Sequence, residues 1–216
     1  REQITRLSLE PGESFRFYSE TISQLLEIAL RTGNQMPSSK LSRLSNAKQA
    51  VLFLKERNGQ ERALVTGGFG AGRLTSEQFS TFQSLINDQA TYLRLAIGYA
   101  TPDQEKLLRA KLAEPIFKEV GTIEQMVKDK GANAELVYSP EDWFAKITAK
   151  IDLLRTVEES YTKDIQQEIH ANMDADRDAF VSYASLLLVA VGLTLWICFA
   201  IVRNLLKTLG GEPEYA

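Results

Sequence analysis

Apolar residues recur at helical spacing along almost the whole chain. In "ESFRFYSETISQLLEIALRTG", Phe15, Tyr18, Ile22, Leu25, Leu26 and Ala29 fall on one stripe, and Gly33 is placed to end the helix. Pro11-Gly12 breaks off a short preceding turn that carries Ile4 and Leu7. After the loop "NQMPSS", Ser38 or Ser39 can cap a helix whose stripe runs through Ala47, Ala50, Val51, Leu54 and Val65. The glycine cluster "GGFGAG" reads as the turn that closes it. A third helix opens at Thr75 or Ser76 and carries Phe79, Phe82, Leu85, Ile86, Tyr92, Leu93 and Ile97. Thr101 followed by Pro102 starts a fourth, which Pro115 should kink or break. "GANAELVYSP" is a connection, and "SPEDWF" opens the last helix with Ser139 as cap, Pro140 at its first position and acids in its first turn.

No glycine or proline lies between Glu141 and Val191, and Ile147, Ile151, Leu154, Val157, Tyr161 and Ile165 keep a seven-residue rhythm. No stretch alternates convincingly as a strand would. The pattern predicts an all-α fold, an antiparallel helical bundle whose last helix continues into a transmembrane helix. Val181 to Val202, "VSYASLLLVAVGLTLWICFAIV", carries no charge, and a helix needs roughly 20 mainly apolar residues to cross the hydrocarbon core. The expected organisation is a helical extracytoplasmic domain over 1–180, a membrane helix over 181–202, and a following segment over 203–216. Arg203 and Lys207 after the span, against Arg177 before it, place the C-terminus in the cytoplasm by the positive-inside rule.

Composition narrows the function. The 25 basic and 28 acidic residues leave a net charge of −3, which gives no footprint for nucleic acid. The single cysteine, Cys198, lies in the apolar run and cannot form an internal disulfide. His170 stands without spaced partners, so no metal is expected there, and Asp174, Asp176 and Asp178 lack calcium-loop spacing. Gly67-Gly68 and Gly70-Ala71-Gly72 follow no strand and lead to no Gly-Lys-Ser/Thr element, so they do not make a phosphate loop. Trp143 and Phe144 are expected to anchor the last helix in the bundle. No nucleophile, base or paired-carboxylate arrangement points to catalysis, and no cofactor is expected. The chain starts at Arg1 without a leader-like segment and stops at "LGGEPEYA", so it reads as a segment of a longer protein, cut at both ends.

"LKERNGQERA", residues 54–63, interrupts an apolar stripe with charge. With Leu54 at zero on a helical wheel, Asn58 falls at about +40° and Glu61 at about −20°, inside the stripe. Arg62 at about +80° and Arg57 at about −60° flank it, while Lys55, Glu56 and Gly59 point elsewhere. Groups so placed must be paired, hydrated or liganded, because an uncompensated buried ion costs several kcal/mol. One reading pairs Arg57 with Glu61 along the helix and Arg62 with an acid on another helix. The other uses guanidinium donors to hold a small planar oxyanion. Gly59 is assigned to close helix packing or local bending.

"LKERNGQERALVTGGFGAGRL" followed by "FSTFQSLINDQATYLRLAIGYA" resembles the nitrate- and nitrite-sensing (NIT) domain of bacterial transmembrane receptors. "FYSETISQLL" and "PEDWFAKITAKIDLLRTVEESYTKDI" extend the likeness over about Arg1 to Asp164, which resembles the second half of such a domain. "IVRNLLKTLGGEPEYA" is similar to the start of a HAMP linker in methyl-accepting chemotaxis receptors. The resemblance implies an all-helical periplasmic sensor in the bacterial inner membrane that binds nitrate or nitrite between helices, works as a homodimer and signals to cytoplasmic chemotaxis proteins. Arg62, in the "ERA" element, is the position it marks for anion binding. Arg57, Asn58, Gln60 and Glu61 join it on geometric grounds. The family also uses an arginine from its first half, which these residues do not include. A sensor of a histidine kinase or diguanylate cyclase, and a membrane-anchored helical scaffold that binds a protein and no anion, are the alternatives.

Overall fold

A computed structural model describes residues 11–33, 36 and 38–209. Among the described residues the chain forms six helices and no strand: α1 (Pro11–Gly33), α2 (Ser39–Ala71), α3 (Ser76–Tyr99), α4 (Pro102–Leu112), α5 (Pro115–Lys130) and α6 (Pro140–Leu209). The turn carrying Ile4 and Leu7, and the "GGEPEYA" end, lie outside the described residues.

Local chemistry sets the helix starts. Ser38 Oγ accepts from the Leu41 N–H, and Ser139 Oγ from the Asp142 N–H, each satisfying an orphan donor of a first turn. Thr75 with Gln78, and Thr101 with Gln104, form reciprocal capping boxes. Pro115 does break its helix, because proline has no N–H to donate and cannot continue the α4 ladder; it instead begins α5. The glycine cluster departs from expectation. α2 continues through Gly67, Gly68 and Gly70 to Ala71, and only Gly72, at φ 72°, turns the chain. Gly68 and Phe69 are buried there, so packing outweighs the poor helix propensity of glycine.

The core has two centres. One joins Val65 and Phe69 of α2, Phe82 of α3, Val120, Ile123 and Val127 of α5, and Trp143 and Ile147 of α6. The other joins Ala47, Ala50 and Val51 of α2 with Ala96 of α3, Leu108 of α4, and Val157 and Tyr161 of α6. Most of the heptad rhythm of α6 therefore points inward: Ile147, Leu154, Val157 and Tyr161 are fully buried. α2 is the common partner. It meets α3 antiparallel, with Phe53 stacked on Tyr92 and Arg43 donating to the carbonyls of Tyr99 and Ala100. It meets α6 antiparallel through Lys55 with Glu158 and Arg62 with Thr148. The 131–139 connection is tied back to the α2–α3 turn by Asn133 N–H to Leu74 O and Leu136 N–H to Gly72 O. The apolar stripe of α1 is only partly covered by the described residues, since Tyr18 is 48% and Leu25 61% exposed.

Packing contacts divide the chain into Arg1–Gln166 and Gln167–Ala216. In the second unit α6 holds a segment long and apolar enough to cross a membrane, with none of it buried. Leu186, Leu187, Leu188, Leu195 and Trp196 all stand exposed on it, as the residues of a lipid-facing helix would.

Candidate functional site: a groove and a buried cluster on opposite faces of α2

The polar knot of 54–63 lies within one unbroken stretch of α2. Asn58 and Glu61 are fully buried, as their place on the wheel predicts, and Gln60 is 8% exposed. The five predicted residues do not converge on one point. Gln60 and Arg62 border a groove between α1 and α2, whereas Asn58 borders a cavity in the core; Glu61 turns inward and Arg57 turns toward α3.

The groove has a volume of about 480 Å³ and is bordered by Glu56, Gly59, Gln60, Arg62 and Ala63 on α2. α1 contributes Ser14, Tyr18, Ser19 and Ile22. Three hydroxyl side chains thus face the helix that carries the arginine, and sequence reasoning passed over them because Tyr18 fitted an apolar stripe. The only signal was polar Ser14 and Ser19 beside that stripe. Gly59 has no close neighbour among the described residues: a Cβ placed on it would meet none of them within 4 Å, so close packing does not explain it. At Gly68 the added carbon would come within 3.0 Å of Leu74 Cγ, and that is where the helix approaches its surroundings closely.

Arg62 does not meet an acid. Its Nη1 donates to Thr148 Oγ1 at 2.9 Å, and its guanidinium carbon lies 4.6 Å from the centre of the Phe144 ring. Its backbone carbonyl accepts from Trp143 Nε1 at 3.2 Å. Trp143 is fully buried and anchors α6 as expected, while Phe144, 47% exposed, serves as the surface under the guanidinium. Among the described residues no carboxylate pairs with Arg62, so the charge at the groove is held in position without being neutralised. Arg57 does not pair with Glu61 either. It lies 3.0 Å from Asp88 of α3 and donates to Gln60 Oε1 at 2.7 Å. Gln60 also donates to Glu56, whose carboxyl pKa is raised by partial burial.

The core cluster is built from four helices. Gln89 of α3 donates to Glu61 Oε2 at 2.7 Å. Lys150 of α6, 8% exposed, pairs with Glu124 of α5 at 2.9 Å and reaches Gln89 Oε1 at 3.4 Å. Glu124 lies within hydrogen-bonding reach of Glu61, and its charge works with burial, the larger influence, to push the Glu61 carboxyl up to about 8. Beside this cluster is a cavity of about 200 Å³ bordered by Leu54, Asn58, Gln89, Phe117, Glu124 and Lys150. Asn58 donates to Leu54 O at 2.8 Å, while its Oδ1 accepts no hydrogen bond from the described residues.

His170 is exposed, and no group of acidic, histidine or cysteine side chains suited to a metal ion occurs among the described residues. Neither a curated protein nor a solved structure matches the chain. The family model for nitrate and nitrite sensing matches residues 1–166, and the chain therefore belongs to the nitrate and nitrite sensing (NIT) family.

Proposed function

We propose that the α1–α2 groove binds nitrate or nitrite, with Arg62 as the principal anion contact. The observation that carries this reading is a guanidinium at a groove that has a fixed orientation and no carboxylate partner among the described residues. Such a group offers in-plane N–H donors that match a planar oxyanion, and the hydroxyls of Ser14, Tyr18 and Ser19 can add neutral donors. Gln60 borders the same groove and steadies Arg57 and Glu56, so it acts more through its neighbours than on the anion. Asn58 and Glu61 sit in the core cluster and take no direct part in anion contact.

In this reading the chain is the sensor portion of a transmembrane receptor. The domain lies outside the bacterial inner membrane, residues 181–202 cross it, and the following residues begin a HAMP linker to a cytoplasmic chemotaxis output. The receptor works as a homodimer. Anion binding shifts the receptor only if one helix arrangement holds the anion more tightly than the other. Arg62 belongs to α2 and is bonded to Thr148 of α6, so an anion that draws on the guanidinium acts directly on the helix that continues to Leu209. A kinase or cyclase output would use the same coupling.

The contacts of Arg62 with Phe144, Thr148 and Trp143 favour a second reading, in which the arginine only braces α6 within a protein-binding scaffold. Titration calorimetry of the chain in detergent micelles with nitrate and with nitrite separates the two. The sensor reading expects saturable heat that disappears in Arg62→Ala while helical circular dichroism persists. Absence of heat with either anion, or loss of the helical signal in the variant, favours the scaffold.

A further inference from the structure

The cluster around Glu61 has a charge count that its hydrogen bonds do not close. Two carboxylates, Glu61 and Glu124, face one ammonium, Lys150, in a region where all three are largely sheltered from water. Glu61 Oε2 receives the Gln89 amide, but Glu61 Oε1 is buried and receives no donor among the described residues. Lys150 is committed to Glu124 and Gln89. Two bare carboxylates within hydrogen-bonding reach of each other are repulsive, and a buried acceptor without a donor costs roughly 1–3 kcal/mol. One proton placed between them removes both penalties. It turns Glu61 into a donor to Glu124, and it leaves one carboxylate to balance Lys150. The arrangement is that of two carboxyls sharing one proton because both cannot ionise side by side.

We propose that Glu61 and Glu124 form a single-proton binding site in the bundle core, and that its occupancy sets the anion affinity of the groove on the other face of α2. The charged groups acting on Glu61 are Glu124 from α5 and Lys150 from α6, while α3 contributes the neutral amide of Gln89. Glu61 and Arg62 are consecutive on α2. A proton lost from Glu61 therefore creates a negative charge, poorly screened by water, one residue from the guanidinium at the groove. The same loss puts Glu124 and Glu61 in open repulsion and strains the packing of α2 against α5 and α6. Both effects weaken the hold on an anion. Linkage then requires the converse: anion binding makes the site bind its proton more tightly, and the protein takes up protons when it binds between neutral and mildly alkaline pH.

The second half of this proposal rests on the groove being an anion site, and the first half does not. The whole chain in micelles, labelled with carbon-13 at glutamate side chains, is titrated by carboxyl resonance. One resonance that stays in the protonated range at pH 6, titrates in the alkaline range and is missing from Glu61→Gln is the expected result. If every glutamate carboxyl is ionised at pH 6, the proton site does not exist. This measurement on the wild-type chain decides the matter even where the variant does not fold. Glu124→Gln removes the repulsive partner, so the Glu61 resonance should titrate at lower pH; an unchanged titration overturns the shared site. In the anion arm, nitrate affinity is measured at pH 6 and pH 9. It should fall by about threefold or more in the wild type and stay level in Glu61→Gln. An equal fall in both proteins overturns the coupling. No nitrate binding at either pH counts against the anion groove and leaves the proton site to the resonance titration.

Discussion

Replacing Glu61 by glutamine should change how stability depends on pH more than it changes stability itself. In the folded chain the carboxyl is pushed up to about 8 from an ordinary value of 4.5, first by burial and then by Glu124. Between those two pH values the unfolded chain has released the proton and the folded chain still holds it. Stability must then fall as pH rises, by about 1.4 kcal/mol per pH unit, because the native state binds one more proton. Below 4.5 both states are protonated and the full stabilisation is present; above about 8 both are ionised and the loss is complete. The window spans roughly 3.5 units, which sets a ceiling of about 5 kcal/mol on the loss. Local rearrangement and water entry would reduce it.

Glutamine at 61 reproduces the protonated acid. Its carbonyl can accept from Gln89, and its amide can donate toward Glu124. Glu61→Gln should therefore match the wild type within about 1 kcal/mol at pH 5 and exceed it by at least about 2 kcal/mol at pH 8. The assay is urea unfolding of the whole chain in micelles, with Trp196→Phe in both proteins so that buried Trp143 is the only indole reporting. A stability difference that stays constant from pH 5 to pH 8 refutes the reasoning. So does a wild-type protein that gains stability relative to the variant across that range.

Two of the glycines of α2, Gly59 and Gly68, should respond oppositely to alanine. Gly59→Ala adds a methyl that meets nothing within 4 Å and removes backbone freedom, so it should raise thermal stability by about 0.5–1 kcal/mol. Gly68→Ala drives the methyl into the fully buried Leu74 side chain and should cost about 1–2 kcal/mol; an equal gain at both positions would show that the Leu74 contact is relaxed at no cost. Trp143→Phe removes the indole donor to Arg62 O and part of a fully buried ring, which should cost about 2–3 kcal/mol by chemical denaturation. A loss under about 0.5 kcal/mol would mean that the α2–α6 contact does not depend on the indole.

How far the sequence reaches depends on the range of the interaction concerned. Caps and breaks are decided within three or four residues, and Thr75, Thr101, Ser139 and Pro115 act as their neighbours predict. The inward turn of Asn58 and Glu61 was also legible, because a wheel needs only the residues of one helix. The glycine cluster was not. Whether Gly67, Gly68 and Gly70 stay helical depends on Phe69 finding Tyr138 and Trp143, far along the chain. The all-α class survives such errors, since one misplaced helix end alters no face of the bundle.

The partners of the charged knot were illegible for the same reason. A wheel reports the angle about one axis and says nothing of what stands opposite. Arg57 could reach Glu61 one turn on, and it pairs instead with Asp88, brought alongside by the antiparallel α3. Arg62 could have met an acid, yet the opposing face of α6 offers Thr148 and Phe144. Those outcomes give the knot its two characters. With no acid opposite it among the described residues, Arg62 stands at the groove without a carboxylate partner. With Glu124 opposite it, Glu61 is pressed to give up its own. Consecutive residues on one helix thus look into different environments, one open and cationic, the other closed and set against ionisation of Glu61. Under the proposed coupling, a helix loaded from both faces in this way lets the protonation of the core alter what the groove holds.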